Sequence, residues 1–314
     1  MKIYHSTTAF NTSENTSIIT IGTFDGVHIG HQEIIKNLVK SASKKADKSV
    51  ILTFFPHPRM VIQTGVDLKL LTTLQEKITL LEKTGLDFLV IEPFTRDFSR
   101  LTALDFVRKI LVQQLKLKKL VIGYDHHFGR NREGDFEQLQ EYGSVYGFEV
   151  EEIPVQDIQN IAVSSTKIRK ALEEGNIEKA NLYLGYEYML TGTIIHGKGL
   201  GKKWKYPTIN IHIKESYKLI PKSGVYIIKT TIHDTNIFGI MNIGYRPTID
   251  GKHQTIEVHL LDFNADLYGE DIQVALTYRL RDEQKFSSVD ELFAQIKRDE
   301  SNARELISNG KISF

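Results

Sequence analysis

The spacing of apolar residues changes near residue 185, and that change separates two kinds of element. Before it, short apolar runs alternate with segments of helical period. Ile18, Ile19 and Ile21 read as a buried strand, and Ile34, Ile35, Leu38 and Val39 then share one helical face. Val50–Phe55 reads as a second strand, ending at Pro56-His57-Pro58, where two prolines turn the chain out of a sheet. Leu74–Lys83 has helical spacing, Phe88–Ile91 is a strand, and Ala103–Leu115 is a helix. Lys119–Ile122 is a strand entering Gly123, Phe136–Gly147 a helix, and Glu149–Ile153 a strand. Strands alternating with helices of this length predict βαβ units on a parallel, doubly wound sheet. Ligands of such sheets lie beyond the carboxyl ends of the strands.

A helix over Ser165–Leu184 closes this half, and alternation of period two then takes over. Tyr188–Ile195, Thr208–Ile213, Gly224–Ile232, Ile237–Ile243, Thr255–Leu261 and Ile272–Leu280 are six expected strands, followed by a long helix over Val289–Ile307. Short antiparallel strands with few helices predict a closed or nearly closed barrel. The boundary is expected at Gly185-Tyr186-Glu187, giving domains over 1–185 and 186–314. The chain shows no internal repeat and no low-complexity tract.

Composition narrows the class. The 314 residues suffice for two cores, and 40 basic against 39 acidic side chains leave a net charge of +1. No bulk field therefore recruits nucleic acid or membrane. The absence of cysteine excludes disulfides and thiolate metal sites and agrees with a reducing compartment. The first residues lack a basic stretch followed by an apolar one, and no apolar run approaches the roughly 20 residues that span a bilayer. A cytoplasmic enzyme or binding protein is expected.

The chemistry begins with GTFDGVHIGH, Gly22–His31, placed where the first long strand hands over to a helix. Free backbone N–H groups and the helix dipole make such a junction an anion site. Gly22, Gly26 and Gly30 allow close approach of backbone to phosphate, and the imidazoles of His28 and His31 can donate to its oxygens. Two histidines at this spacing are ordinarily surface or capping residues, and without a third ligand they make a poor zinc site. The surrounding pattern favours a nucleotide triphosphate.

GTFDGVHIGH resembles the GxFDGxHxGH signature of the nucleotidylyltransferase superfamily. From about Ile18 to about Leu306 the order of motifs resembles the bacterial bifunctional riboflavin kinase/FMN adenylyltransferases, or FAD synthetases. The resemblance implies a Rossmann-like nucleotidylyltransferase domain followed by a six-stranded antiparallel barrel with a C-terminal helix. It implies an ATP/phosphate site at Gly22, Phe24, Asp25, His28 and His31. FFPHPR (54–59) is similar to the family's FxPHP segment, which places His57 on the FMN side. GYDHHFGRNREGD (123–135) is similar to GxDFxFGxxxxG, with Asp125 facing substrate and Arg130 and Arg132 near phosphates. His126 and His127 stand where that pattern more often has aromatic or basic residues. Val163–Arg169 resembles the xSSTxIR element, which implies that Ser164, Ser165, Thr166 and Arg169 hold ATP phosphates. Hydroxyls at a helix start also cap it, and the two readings are compatible.

GKGLGKKWKYPTIN (197–210) is not a dinucleotide fingerprint, because a proline and a strand follow it instead of a helix. It resembles the riboflavin kinase loop GxxLGxxxGxPTAN, with Lys205 in place of a glycine. The resemblance implies that Gly197, Gly199, Gly201 and Pro207 cover ATP and flavin, and that Thr208 and Asn210 ligate Mg²⁺. Hard oxygen donors suit that ion. Glu257, in a segment similar to ExHLLDFxxDLYG, matches the family's general base. An isolated strand glutamate would ordinarily be a solvated carboxylate. Arg281 falls in a segment resembling LRxExKF and is expected at the flavin or phosphate. Asp299 is either a support for that site or a helix-surface aspartate. ATP is thus the expected co-substrate, riboflavin and FMN the substrates, and FMN and FAD the products, with His28, His31, Arg169 and Glu257 carrying the catalysis. Two rival readings stand beside this one: a different nucleotidylyltransferase, and a non-catalytic flavin-binding regulator.

Overall fold

The structure, a computed structural model, describes residues 1–11, 16–45, 47–63, 65, 67–123, 127–130, 133–154, 157–158, 161–196, 206–248 and 251–314. It contains two compact units, Met1–Ser165 and Thr166–Phe314.

The first unit runs β1 (Lys2–Tyr4), β2 (Ser17–Ile21), α1 (Ile29–Lys45), β3 (Lys48–Phe55), α2 (Pro58–Ile62), α3 (Leu74–Glu82), β4 (Phe88–Pro93) and α4 (Ala103–Asp105). A π-helical stretch over Phe106–Gln114 leads to β5 (Leu117–Gly123), α5 (Phe136–Tyr146), β6 (Glu149–Ile153) and the short hairpin β7 (Asp157–Ile158) and β8 (Ile161–Ala162). The six-stranded sheet has the order β1-β4-β3-β2-β5-β6, and each pair in it is parallel. Successive strand residues serve opposite cores. Ile18, Ile51, Leu89 and Val121 pack with Ile35, Leu38 and Ala42 of α1 and with Ile78 and Leu81 of α3. Ile19, Leu52, Val90 and Leu120 pack with Phe106, Val107, Ile110 and Leu111 and with Leu139 of α5. Helices cover both faces, as the near-continuous apolar strands require. The order reverses at β2, which pairs with β3 on one side and β5 on the other. That reversal opens a crevice at the carboxyl ends of these strands.

The second unit carries α6 (Ser165–Glu174) from Thr166 onward, α7 (Ile177–Leu184), β9 (Tyr188–Ile195), β10 (Ile209–His212), β11 (Gly224–Ile232), β12 (Thr235–Thr248), β13 (Gly251–Leu260), β14 (Asp271–Arg281) and α8 (Val289–Ser308). The strands form a closed barrel, β10-β13-β12-β11-β14-β9, with antiparallel neighbours throughout. Buried Met241 and Ile243, like Ile256, Val258 and Leu260, alternate with half-exposed neighbours and fill its interior. Helix α8 lies on the outer wall, where Ala303, Leu306 and Ile307 meet Ile227, Phe238 and Tyr278.

Three expectations change. The helix expected over Ser165–Leu184 is two helices, because Gly175 takes φ +81° and the Asn176 side chain accepts from Lys179 N to start α7. Both pack on the barrel: Lys222 N donates to Leu172 O at 3.0 Å and Asn181 Nδ2 to Leu276 O at 2.8 Å. The helix over Ala103–Leu115 is α-helical only at its start and continues with i→i+5 bonds, such as Leu115 N to Ile110 O. The first sheet also gains an edge strand, β1, which three residues, none of them fully buried, did not announce.

Candidate functional site

The first site is a turn tied down on every side. Gly22 N donates to Leu52 O at 3.1 Å, continuing the sheet beyond β2. The chain then bends through left-handed conformations at Phe24 (φ 47°), Gly26 (83°) and Val27 (37°) before α1 begins. The carboxylate of Asp25 is buried and accepts from the backbone amides of Leu71 (2.9 Å) and Thr72 (3.3 Å). Each such bond to a charged acceptor stabilises by about 1.5–3 kcal/mol, so Asp25 braces the turn from beneath. The carbonyl of Asp25 accepts from Ser165 Oγ at 2.9 Å, and Thr72 Oγ1 accepts from Gly26 N at 3.3 Å. The Thr23 carbonyl accepts from Lys77 Nζ at 2.7 Å and Thr53 Oγ1 at 3.3 Å.

On this frame the rings of His28 and His31 stack at 3.6 Å between centroids, 19° from parallel. Phe24 borders His31 at 5.0 Å. Nδ1 of His31 is buried with no hydrogen-bond partner among the described residues. Burial first, then His28, then the Lys77 ammonium hold the His31 pKa well below its usual 6.5. At pH 7 the ring is therefore neutral, an N–H donor without a fixed charge. Below pH 6.5 the unfolded chain takes up the proton that the folded one refuses, so this group removes stability as pH falls from there towards its folded pKa. We expect His31→Asn to flatten the fall in melting temperature between pH 7 and 5, read by calorimetry. Parallel pH profiles for the variant and the parent chain would refute this.

The other expected residues of this half occupy neighbouring strand ends. His57 follows β3 and caps α2, its Nδ1 accepting from Arg59 N at 3.1 Å. After β5, Phe128 and Gly134 close a loop through paired backbone bonds, and Arg130 N donates to Leu101 O at 2.9 Å. The turns after β3, β2 and β5 thus emerge side by side at one end of the sheet. Asp125, His126 and Arg132 lie outside the described residues. Ser164 is half-buried and Ser165 starts α6, while Thr166 and Arg169 belong to the second unit.

The second site is a row across three strands on the barrel's outer wall. Asn210 of β10 pairs with Glu257 of β13, and Glu257 pairs in turn with Asn242 of β12. Side chains directly opposite on neighbouring strands share a face, about 5 Å apart. All three are half-buried, between interior positions filled by Ile211, Val258 and Met241. Thr208 lies two positions before Asn210, just ahead of β10. The segment leading into it is held by His259, whose Nδ1 is 2.9 Å from Pro207 O, and by Tyr206, whose ring lies 5.3 Å from His259 and 6.2 Å from Phe293 of α8. Glu283 crowds Gly244, two positions beyond Asn242, where any larger residue would meet its carboxylate. Arg281 is clamped by Asp299 of α8, with Nε to Oδ1 at 2.9 Å and Nη2 to Oδ2 at 2.7 Å. Asp299 is only 4% exposed and also accepts from Gln295 Nε2, so it is a buried support and not a surface aspartate. Gly197, Gly199, Gly201 and Lys205 lie outside the described residues.

A carboxylate flanked by two carboxamides, with a hydroxyl close by, can accept a proton from an alcohol while neighbouring oxygens face a hard cation. Among the described residues no group of three or more His, Cys, Asp or Glu is placed to hold a metal without help from substrate. The donor set fits Mg²⁺, which characteristically takes one or two protein ligands and completes its shell with phosphate and water.

Comparison with known proteins assigns both halves. A family described as FAD synthetase matches residues 10–167, and one described as riboflavin kinase matches residues 184–307. The chain is 39% identical over 289 residues to the bifunctional riboflavin kinase/FMN adenylyltransferase of Escherichia coli K12, covering 92% of both chains. This chain belongs to the bifunctional riboflavin kinase/FMN adenylyltransferase family. The Listeria monocytogenes riboflavin kinase/FMN adenylyltransferase is 37% identical over 304 residues, 96% of each chain. The fold of a crystal structure described as a macrolide-efflux protein from Streptococcus pneumoniae is also similar, with a TM-score of 0.88 at 30% identity over 96% of this chain and 98% of that one. Among the described residues of this riboflavin kinase/FMN adenylyltransferase family member, no helix is long and apolar enough to cross a membrane.

Three residues at the two sites escaped sequence reasoning. Lys77 sits in an ordinary helical pattern, and Asn242 becomes a neighbour of Glu257 only through strand register. Glu283 stands inside a recognised segment, but its place over Gly244 follows from the fold alone.

Proposed function

We propose that the two activities of this family are divided between the two halves of the chain, with a functional boundary near residue 185. The barrel half transfers the γ-phosphoryl group of ATP to the 5′-hydroxyl of riboflavin, giving FMN. The parallel-sheet half joins FMN to the adenylyl group of ATP, giving FAD and pyrophosphate. The observation that supports this reading is the Asn210–Glu257–Asn242 row, which brings a carboxylate beside carboxamide oxygens.

In the kinase half Glu257 accepts the hydroxyl proton as the oxygen bonds to the γ-phosphorus and the bond to ADP breaks. Thr208 and Asn210 would hold Mg²⁺, which when bound would neutralise phosphate charge. By their motif, Gly197, Gly199, Gly201 and Pro207 cover ATP and flavin. Arg281, fixed by Asp299, faces the flavin or its new phosphate. In the adenylyltransferase half an FMN phosphate oxygen attacks the α-phosphorus of ATP and pyrophosphate leaves. The nucleophile is already anionic, so the site needs alignment and charge stabilisation more than a base. His28 and His31 donate ring N–H groups to the phosphates, and Gly22, Phe24 and Asp25 shape the turn that presents them. Ser164, Ser165, Thr166 and Arg169 receive the triphosphate, and His57 and Asp125 stand on the FMN side. The roles of Thr166, Arg169 and Asp125 rest on their motifs.

Riboflavin, FMN and ATP are the partners in this reading, with no nucleic acid or membrane, and the working location is the cytoplasm, where ATP is supplied. The test is chromatographic analysis of products after incubating the pure chain with riboflavin, ATP and Mg²⁺. FMN should appear first and FAD after it. Accumulation of FMN without FAD refutes the adenylyltransferase half, and absence of both refutes the whole.

A further inference from the structure

No motif singles out Lys77, yet it is among the least exposed charged residues described, at 5%. Removing an ammonium from water is unfavourable, and a single hydrogen bond to a carbonyl does not offset that cost. Burial lowers its pKa to about 8, against a favourable influence of Asp25. The position is firmly built. Lys77 follows Glu76, whose carboxylate accepts from Thr73 N while Thr73 Oγ1 accepts from Glu76 N, a reciprocal cap that fixes the start of α3. From there Nζ reaches the Thr23 carbonyl at 2.7 Å, inside the turn that carries the stacked histidines.

We propose, building on the adenylyltransferase reading above, that Lys77 is a positioning residue of that reaction: its ammonium pins the Thr23 carbonyl and sets a positive charge beside the His28–His31 stack where the triphosphate arrives. A cation built into the scaffold opposes a charge on His31. Uncharged, the His31 ring stacks on that of His28 and keeps an N–H donor available to phosphate. The titratable groups that bear on His31 are His28 on the turn and Lys77 on α3, and Asp25 bears in turn on Lys77. An anionic substrate is thus met by a charge that does not depend on proton uptake by either histidine.

Lys77→Met removes both charge and donor, Lys77→Gln keeps a donor without charge, and Lys77→Arg keeps both. With FMN and ATP supplied to the full chain, Lys77→Met should lower the adenylylation kcat at least tenfold, and Lys77→Arg should recover most of it. The same samples, given riboflavin, should form FMN at the parent rate. The His31 ring titration, followed by NMR, should move upward in Lys77→Met and Lys77→Gln and stay in place in Thr53→Val, which removes only the other donor to Thr23 O. A His31 midpoint unmoved in Lys77→Gln overturns the proposal, even if Lys77→Met does not fold. So does a folded Lys77→Met with parental kcat. If the parent chain itself makes no FAD, the adenylyltransferase reading fails instead, and the His31 midpoint still reports on the lysine.

Discussion

Glu257→Gln is expected to lower FMN formation from riboflavin by about two to four orders of magnitude, the range general bases contribute. The carboxamide keeps the shape of the side chain between Asn210 and Asn242 and removes only its capacity to accept a proton. The same protein, supplied with FMN, should still make FAD at the parent rate, because Glu257 lies in the barrel and the phosphate nucleophile needs no base. The two measurements belong on one preparation, with a thermal melt confirming that the barrel is intact. FMN formation at the parent rate would remove Glu257 from the mechanism. A fall confined to the riboflavin KM, with kcat preserved, would make it a binding residue.

His31→Ala is expected to produce the opposite separation. Loss of one preorganised donor to a transition state costs about two to three orders of magnitude in kcat, and the His28 ring loses its stacking partner as well. FMN formation should be untouched. The assay is FAD production from FMN and ATP, with riboflavin phosphorylation measured alongside. Equal loss of both activities would point to global damage, and parental FAD production would assign the histidines to the scaffold.

The architecture is largely readable from the sequence because burial on both faces writes itself into β2, β3, β4 and β5 as short, mostly apolar runs. The barrel was readable because Ile256, Val258 and Leu260 alternate with Glu257 and His259. What escaped has definite causes. Period alone does not separate an α-helix from a π-helix over nine residues, so Phe106–Gln114 reads as α from its sequence. A glycine inside a helical pattern is tolerated often enough that Gly175 did not announce a break. Asp299 lies on an amphipathic helix, where only the position of Arg281 shows that its carboxylate faces inward. Lys77 is the same problem reversed: lysines on helices usually extend into water, and nothing local shows that this one reaches Thr23, 54 positions away. Asn242 needed the register of β12 on β13, which alternation leaves open to any even shift.

That register carries a consequence for how the kinase half can vary. Because the strands close on themselves, the alternation that packs the interior also decides which way Glu257 faces. Substitutions on the outer wall away from Asn210, Glu257 and Asn242 leave this arrangement alone, and so do insertions between strands. One residue added within β13 turns a carboxylate into a greasy interior and carries aliphatic side chains outward, with no free edge to absorb the slip. Diversity in this half therefore accumulates in the connections and on the wall away from that row, and the lengths of the strands are as fixed as the row itself.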